Sequence, residues 1–311
     1  MEASIERIMS LGPPGPFWNK FVGMLATNEW ITSTKILANL HSALYVAAGY
    51  HMVFLMSKWV LFPPLVRWRL AHSKDHSRRG RQGLVNQSAL HFVSMIQSFV
   101  ILYLSLAYLQ THGPTTTHPS ALRRVFDHDV ESEVICVFAI GYFVWDAVIS
   151  VFYSSLPFIM HGLISTVMFS IGLKPYIQFY APAFLMFELS NPFLNFRWFG
   201  IKFFPQVSET NKTFTARALN CVQLLNNVVL ILVFFGARIV WGWYQIFMLC
   251  SDFWQVRHDP RFLLLETATI VSGNLVLDVL NLVWFLKMLS VAKRIISKRG
   301  RVQDKPATEA H

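Results

Sequence analysis

The 311-residue chain is 54% hydrophobic and 15% aromatic, and only 14% of its residues are charged. That composition, laid out in several long apolar runs, excludes an ordinary soluble enzyme and reads as a polytopic membrane protein. The formal charge of +10 does not point to nucleic acid, because the basic residues cluster beside apolar spans, as they do at a cytosolic membrane surface.

Residues 1–35 set Phe17, Trp18, Phe21, Met24 and Trp30 among Glu2, Glu6, Lys20 and Glu29. No basic head precedes a compact apolar core with a cleavage site, which argues against a signal peptide. The segment is expected to be interfacial, ahead of the first span. A span needs about 20 mainly apolar residues, a rule that places spans near 37–61, 84–109, 134–153, 158–173, 176–194, 218–241 and 263–286. The apolar stretch 243–254 is too short to cross and is expected to lie at the membrane surface or to re-enter it. Cys136, Cys221 and Cys250 share no metal-ligand or redox spacing, so neither a disulfide nor a metal is expected.

Basic residues in short loops orient the bundle. Arg67, Arg69, Lys74, Arg78, Arg79 and Arg81 follow the first span, Arg197, Lys202, Lys212 and Arg217 the fifth, and Lys293, Arg294, Lys298, Arg299 and Arg301 the seventh. All three clusters fall on one side, which is expected to be cytosolic and to face anionic phospholipid. The N-terminus and the loop 110–133 are then lumenal, and Asn211, in a glycosylation sequon, stays in the cytosol. The expected organisation is a lumenal or interfacial segment 1–35, a first span with its basic loop 36–83, a helical bundle 84–290 and a cytosolic basic tail 291–311.

Polar residues inside the spans mark the candidate site, because an ionisable group in a bilayer is costly and usually faces a bundle interior or a wet cavity. Counted at about 1.5 Å per residue from the cytosolic ends, His161 lies roughly 5 Å deep, Asn281 8, Glu188 9, Asp146 and His91 10, Asp278 12 to 14 and Ser94 15. Glu188, Asn191 and Asn195 form one helical stripe, Asn274, Asp278 and Asn281 another, and Ser165 stands one turn from His161. One chamber open to the cytosol is expected, lined by His91, Ser94, Asp146, His161, Ser165, Glu188, Asn191, Asn195, Asp278 and Asn281. Asn220, Asn226, Asn227 and Asn274 read more simply as helix-to-helix hydrogen bonds. Pro192 leaves the Glu188 carbonyl without its helix partner and is expected to kink the fifth span.

At GYFVWD (141–146), FIMHGLIS (158–165), ELSNPFLNFRWF (188–199) and LDVLNLVWFLK (277–287), the chain resembles the TLC family, most closely its TLC domain-containing protein 4 branch. The resemblance runs over about 84–290. It implies an all-α polytopic membrane protein with about seven transmembrane helices and a six-helix TLC bundle, commonly in the endoplasmic reticulum. Relatives include ceramide synthases, translocation-associated proteins and regulators of membrane lipid composition. Asp146 matches the family's acidic position and His161 the first His of its paired-His motif. Gly162 stands where the second His is usual, and Gln97, in VSMIQS, where close relatives carry His.

Three functions follow from the site and the resemblance. The first is binding or handling of acyl-chain or sphingolipid-like membrane lipids without turnover. The second is acyl transfer from acyl-CoA, with His161 as base or nucleophile oriented by Asp146. The third is an accessory role in secretory traffic or translocation. No resident cofactor or nucleic acid is expected, and the sequence leaves the oligomeric state open.

Overall fold

The computed structural model describes residues 2–71, 78–112, 120–204 and 213–303, and every regular element among them is helical. Asn211, Lys74 and Lys212 lie outside the described residues, as do 304–311 of the tail. The helices are α1 (Glu2–Met9), α2 (Gly15–Thr27), α3 (Thr34–Leu70), α4 (Arg78–His112), α5 (Ala121–Phe126), α6 (Val130–Tyr153) and α7 (Leu156–Leu173). After a chain of short turns come α8 (Asn191–Phe203), α9 (Phe214–Val256) and α10 (Leu264–Gln303). Of these, α3, α4, α6, α7, α9 and α10 are long and apolar enough to cross a membrane.

Local sequence sets the starts. Ser33, Ser120, Asp129 and Thr213 accept the first free amides of α3, α5, α6 and α9, and Pro157 fits the first turn of α7, where its missing amide costs nothing. Two helices continue where prolines or glycines would suggest a stop. In α3 the turn Ser57–Leu61 is a π-turn, and Pro63 and Pro64 follow it at the start of the next α-helical stretch. In α9 the turn Phe235–Val240 is also π-helical, and the helix runs on to Val256.

That continuation corrects the reading of 243–254 as a surface or re-entrant piece. No residue between Trp241 and Val256 breaks the helix, so the stretch extends the sixth span. At 43 residues, α9 is about 65 Å long, twice the hydrocarbon thickness.

The expected fifth span, 176–194, is broken. It passes through a 3-10 turn Gln178–Tyr180, an α-turn Ala181–Leu185 and a second 3-10 turn Met186–Ser190 before α8. Pro192 lies in the first turn of α8, so the interruption falls just before the proline rather than as a kink beyond it, and the Asn191 amide still closes on the Glu188 carbonyl. Both ends of this segment are pinned. At one end the Ile177 amide donates to the Val125 carbonyl (2.7 Å); at the other, Arg69 Nε donates to the Lys202 carbonyl (2.9 Å).

Helix α6 is central: 72% of its apolar window is buried, against 11–39% for the other five crossing helices. It packs against α3, α4, α7 and the broken segment, while α7 meets α10, α10 meets α9, and α9 meets the broken segment. Small residues permit the closest approaches. A Cβ at Gly141 would lie 2.6 Å from Val46 Cβ, and one at Gly162 would lie 3.0 Å from the Ala147 backbone.

At the end away from the basic loops, α5 closes the bundle. Arg124 makes a two-pronged bond to Asp252 (2.6 and 2.5 Å), the Tyr180 hydroxyl donates to the same carboxylate, and the Asp252 side chain is 1% exposed. The carboxylate holds the Arg124 guanidinium protonated beyond its usual range through these hydrogen bonds. Removing one partner strands a buried charge, so Arg124→Leu is expected to cost about 3–5 kcal/mol, with partial recovery in Arg124→Leu/Asp252→Asn. Denaturant titration in detergent measures both; a single variant as stable as the native chain would show that α5 is not held this way.

Candidate functional site

The buried polar centre forms where two irregular turns face each other. The 3-10 turn Met186–Ser190 carries Glu188, and the π-turn Phe235–Val240 of α9 carries Arg238. Turns of this kind release backbone from the α ladder and often occur at functional sites. Arg238 is 5% exposed and Glu188 4%.

Arg238 Nε donates to Ser190 Oγ (2.8 Å), Nη1 to Asn281 Oδ1 (3.1 Å) and Nη2 to Asn191 Oδ1 (2.8 Å), while Nη2 lies 3.8 Å from Glu188 Oε1. Asn191 Nδ2 in turn donates to Glu188 Oε2 (2.6 Å). The guanidinium sits over the Phe234 ring, 5.2 Å from its centroid. One side chain therefore ties the broken segment to α9 and α10, and each of its three nitrogens is already engaged.

Sequence reasoning missed Arg238. Ending the sixth span at 241 puts this residue beside a membrane edge, where an arginine reaches the interface unremarkably. The signal lay in 243–254: reading those residues as a continuation of the helix puts Arg238 about 27 Å from the far end, too deep to be an edge residue.

Beside the centre lies a cavity of roughly 640 Å³, a volume that includes its open mouth. Phe143, Met168, Phe169, Phe184, Leu185 and Leu277 form much of its wall, with His161, Ser165, Glu188, Arg238 and Asn274 as its polar groups. It follows α7 from His161 to Gly172, away from the end that carries the basic loops. The space thus extends beyond the half of the membrane in which the chamber is expected, beside the broken segment, where 3-10 turns and aromatic side chains replace a straight helix.

The expected single chamber is also divided. His161, Ser165 and Glu188 line the cavity, and Asn191 and Asn281 stand behind it through Arg238. His91, Ser94 and Asn195 form a separate cluster: His91 Nδ1 donates to Asn195 Oδ1 (2.8 Å), Asn195 Nδ2 to Ser94 Oγ (3.2 Å), and the imidazole stacks on Trp198 (4.2 Å). Asp278 is 3% exposed and sits near Gly242 and Phe187, since a Cβ at Gly242 would meet Phe187 at 3.2 Å and Asp278 Oδ1 at 3.3 Å. It does not line the cavity, and neither does Asp146.

The expected Asp146–His161 hydrogen bond is absent among the described residues. Ala147, not Asp146, meets α7 at Gly162, and His161 packs edge-on between Phe143 (5.7 Å) and Trp284 (5.9 Å). Gln97 is fully buried; its Oε1 accepts from Tyr50, while its Nε2 has no partner among the described residues. The asparagines read as helix ties behave so in part: Asn226 Nδ2 donates to the Phe193 carbonyl (3.0 Å), and Asn227 Oδ1 accepts from Arg197 (2.7 Å). Asn274 instead bonds within its own helix, to the Ile270 carbonyl (3.0 Å).

Fold and site together define a multi-pass helical membrane protein with a buried Glu–Arg centre and an adjoining apolar cavity. The TLC domain profile, which covers TRAM, LAG1 and CLN8 proteins, matches residues 87–290. The chain belongs to the TLC domain family. An uncharacterized TLC domain-containing protein of Saccharomyces cerevisiae is 49% identical over 97% of this chain and 98% of its own length. The topoisomerase I damage affected protein 4 of the same yeast is 30% identical over 85% of this chain and 88% of its own. An uncharacterized TLC domain-containing protein of Schizosaccharomyces pombe is 29% identical over 84% and 81%.

Proposed function

We propose that the protein binds a membrane lipid by one acyl chain, held in the cavity along α7, with the lipid's polar head at Glu188, His161 and Ser165. The observation that carries this reading is an open-mouthed, largely apolar cavity that ends at a few polar groups, the character of a small-molecule site. Handling of lipid without turnover fits better than acyl transfer, because the Asp146 partner that a catalytic imidazole needs is not in place. The His161 imidazole nevertheless faces the cavity, which keeps acyl-CoA as the substrate to test.

The head group is best matched by a hydrogen-bond donor. Arg238 directs one N–H from each nitrogen to Ser190, Asn281 and Asn191, and beside it the Glu188 carboxylate offers Oε1, which, like Asn274 Oδ1, accepts no hydrogen bond among the described residues. A hydroxyl, amide or amine therefore fits better than a phosphate or carboxylate. We also place the protein in the endoplasmic reticulum, with the end bearing Arg67, Arg69, Arg79, Arg81, Lys202 and Arg217 against anionic phospholipid of the cytosolic leaflet.

Met168 lies on the cavity wall, so Met168→Trp should fill the space. Mass spectrometry of lipid retained by purified protein is expected to show one lipid class on the native chain and at least a tenfold loss in the variant. Equal retention would rule the cavity out as the binding site. Acyl-CoA incubated with a long-chain amine is expected to remain unconsumed; amide formation lost in His161→Ala would establish the enzyme instead.

A further inference from the structure

Helix α2 divides its surface three ways. Trp18, Val22 and Leu25 recur at helical spacing on one stripe; Leu25 is buried, and Trp18 and Val22 are partly buried. Phe17, Phe21 and Met24 form a second stripe about 100° away, exposed at 81%, 41% and 44%. Asn19, Gly23 and Thr27 occupy the remaining arc and are also exposed. One face thus turns inward, one apolar face stands exposed, with Phe21 meeting Trp18 of the same helix at 5.6 Å, and one is small and polar.

The level at which α2 sits identifies the partner. The 37 residues of α3 make a helix of about 55 Å, against a hydrocarbon core of about 30 Å, so part of α3 must stand outside the core. Its first turns lie in polar surroundings, where Lys35 and Asn39 bond to Glu133 (3.0 and 2.6 Å). The turn before α2 is pinned to this level: His41 Nε2 donates to the Leu11 carbonyl (3.1 Å) and the Tyr45 hydroxyl to the Gly12 carbonyl (2.9 Å). Trp18 meets the His41 ring edge-on at 6.2 Å. Trp and Tyr at such a level are typical of a membrane interface. Lys20, whose ammonium lies 6.0 Å from the Phe17 ring, borders the apolar stripe as a snorkelling residue would. Farther along, α3 exposes Leu44 and Met52, so apolar surface continues from α2 toward the lipid-facing belt.

We infer that α2 lies flat in the membrane interface at the end opposite the basic loops, with Phe17, Phe21 and Met24 seated in the acyl boundary of that leaflet. The occupant of the apolar stripe is lipid, and the helix braces the first crossing against the bilayer surface. This does not depend on what fills the cavity.

The test uses the full chain with Cys136, Cys221 and Cys250 replaced by alanine, reconstituted in phosphatidylcholine vesicles. Single cysteines at Asn19, Phe21, Gly23 and Met24 carry a nitroxide label. Positions 21 and 24 are expected to be more accessible to oxygen than to a water-soluble nickel chelate, and 19 and 23 the reverse. Chelate accessibility at 21 and 24 equal to that at 19 and 23 would overturn the inference. So would protection from both reagents, or spin-spin broadening that grows with the labelled fraction, because each would put protein on the stripe. As a check without labels, Phe21→Asp should speed hydrogen exchange in α2 at least tenfold while leaving α6 unchanged; unchanged exchange in α2 would count against it.

Discussion

Arg238→Met is expected to lower stability by about 3–5 kcal/mol, the cost of breaking a buried charge pair by removing one partner. Four consequences act together: Glu188 keeps a buried carboxylate with only Asn191 as donor, and Ser190, Asn191 and Asn281 each lose the guanidinium that satisfied them. The ties from this segment to α9 that remain include the Trp241 indole donating to the Ala183 carbonyl (2.8 Å), Asn226 Nδ2 donating to the Phe193 carbonyl (3.0 Å) and Arg197 donating to Asn227 (2.7 Å). Glu188→Gln alone should cost less, because the amide still accepts from Asn191 and Arg238, though left without its counter-charge, keeps its hydrogen bonds to Ser190, Asn191 and Asn281. The double variant Arg238→Met/Glu188→Gln should recover part of the loss, since replacing both members of a buried pair is milder than removing one. Denaturant midpoints in detergent for the four proteins form a cycle; strict additivity would mean that the two residues do not interact.

The crossing segments were legible because hydropathy over about 20 residues depends little on partners. The expected fifth span was legible as an apolar stretch but not as broken. Its 3-10 turns depend on Arg238 arriving from α9 and on Ile177 folding back to Val125 with φ of +56°, long-range facts that no local pattern in 176–194 contains. Polar depth was read well enough to find Glu188, Asn191 and Asn281, which do converge. It could not separate His91, Ser94 and Asn195 from them, because depth along a helix says nothing about rotation around it. Asp146 and His161 illustrate the same limit: similar depth on adjacent antiparallel helices permits a contact, yet the Gly162–Ala147 approach fixes a rotation in which the two do not bond.

Gly162→His, which would restore the family's paired histidines, is expected to destabilise the bundle rather than create a transferase. A Cβ at this position would lie 3.0 Å from both Ala147 N and Ala147 Cα and 3.1 Å from Ala147 Cβ. Backbone atoms of a central helix cannot swing aside as the tip of a side chain can, so α6 and α7 must part to admit even an alanine. An imidazole demands more room at the same point. Overpacking a filled interior typically costs about 1–3 kcal/mol, occasionally more, and here the strain falls on the most enclosed helix of the fold. Gly162→Ala should therefore already show a measurable loss, Gly162→His a larger one, and Ala147→Gly combined with Gly162→Ala a partial rescue. Parting the two helices would also shift His161 against Phe143 and Trp284, so retained lipid should fall in step with stability. The decisive comparison is acyl-CoA consumption by the native chain and by Gly162→His at a temperature where both remain folded. Neither is expected to exceed a protein-free control. A stable Gly162→His protein that transferred an acyl group to a long-chain amine would show that the missing imidazole alone separates this chain from catalysis.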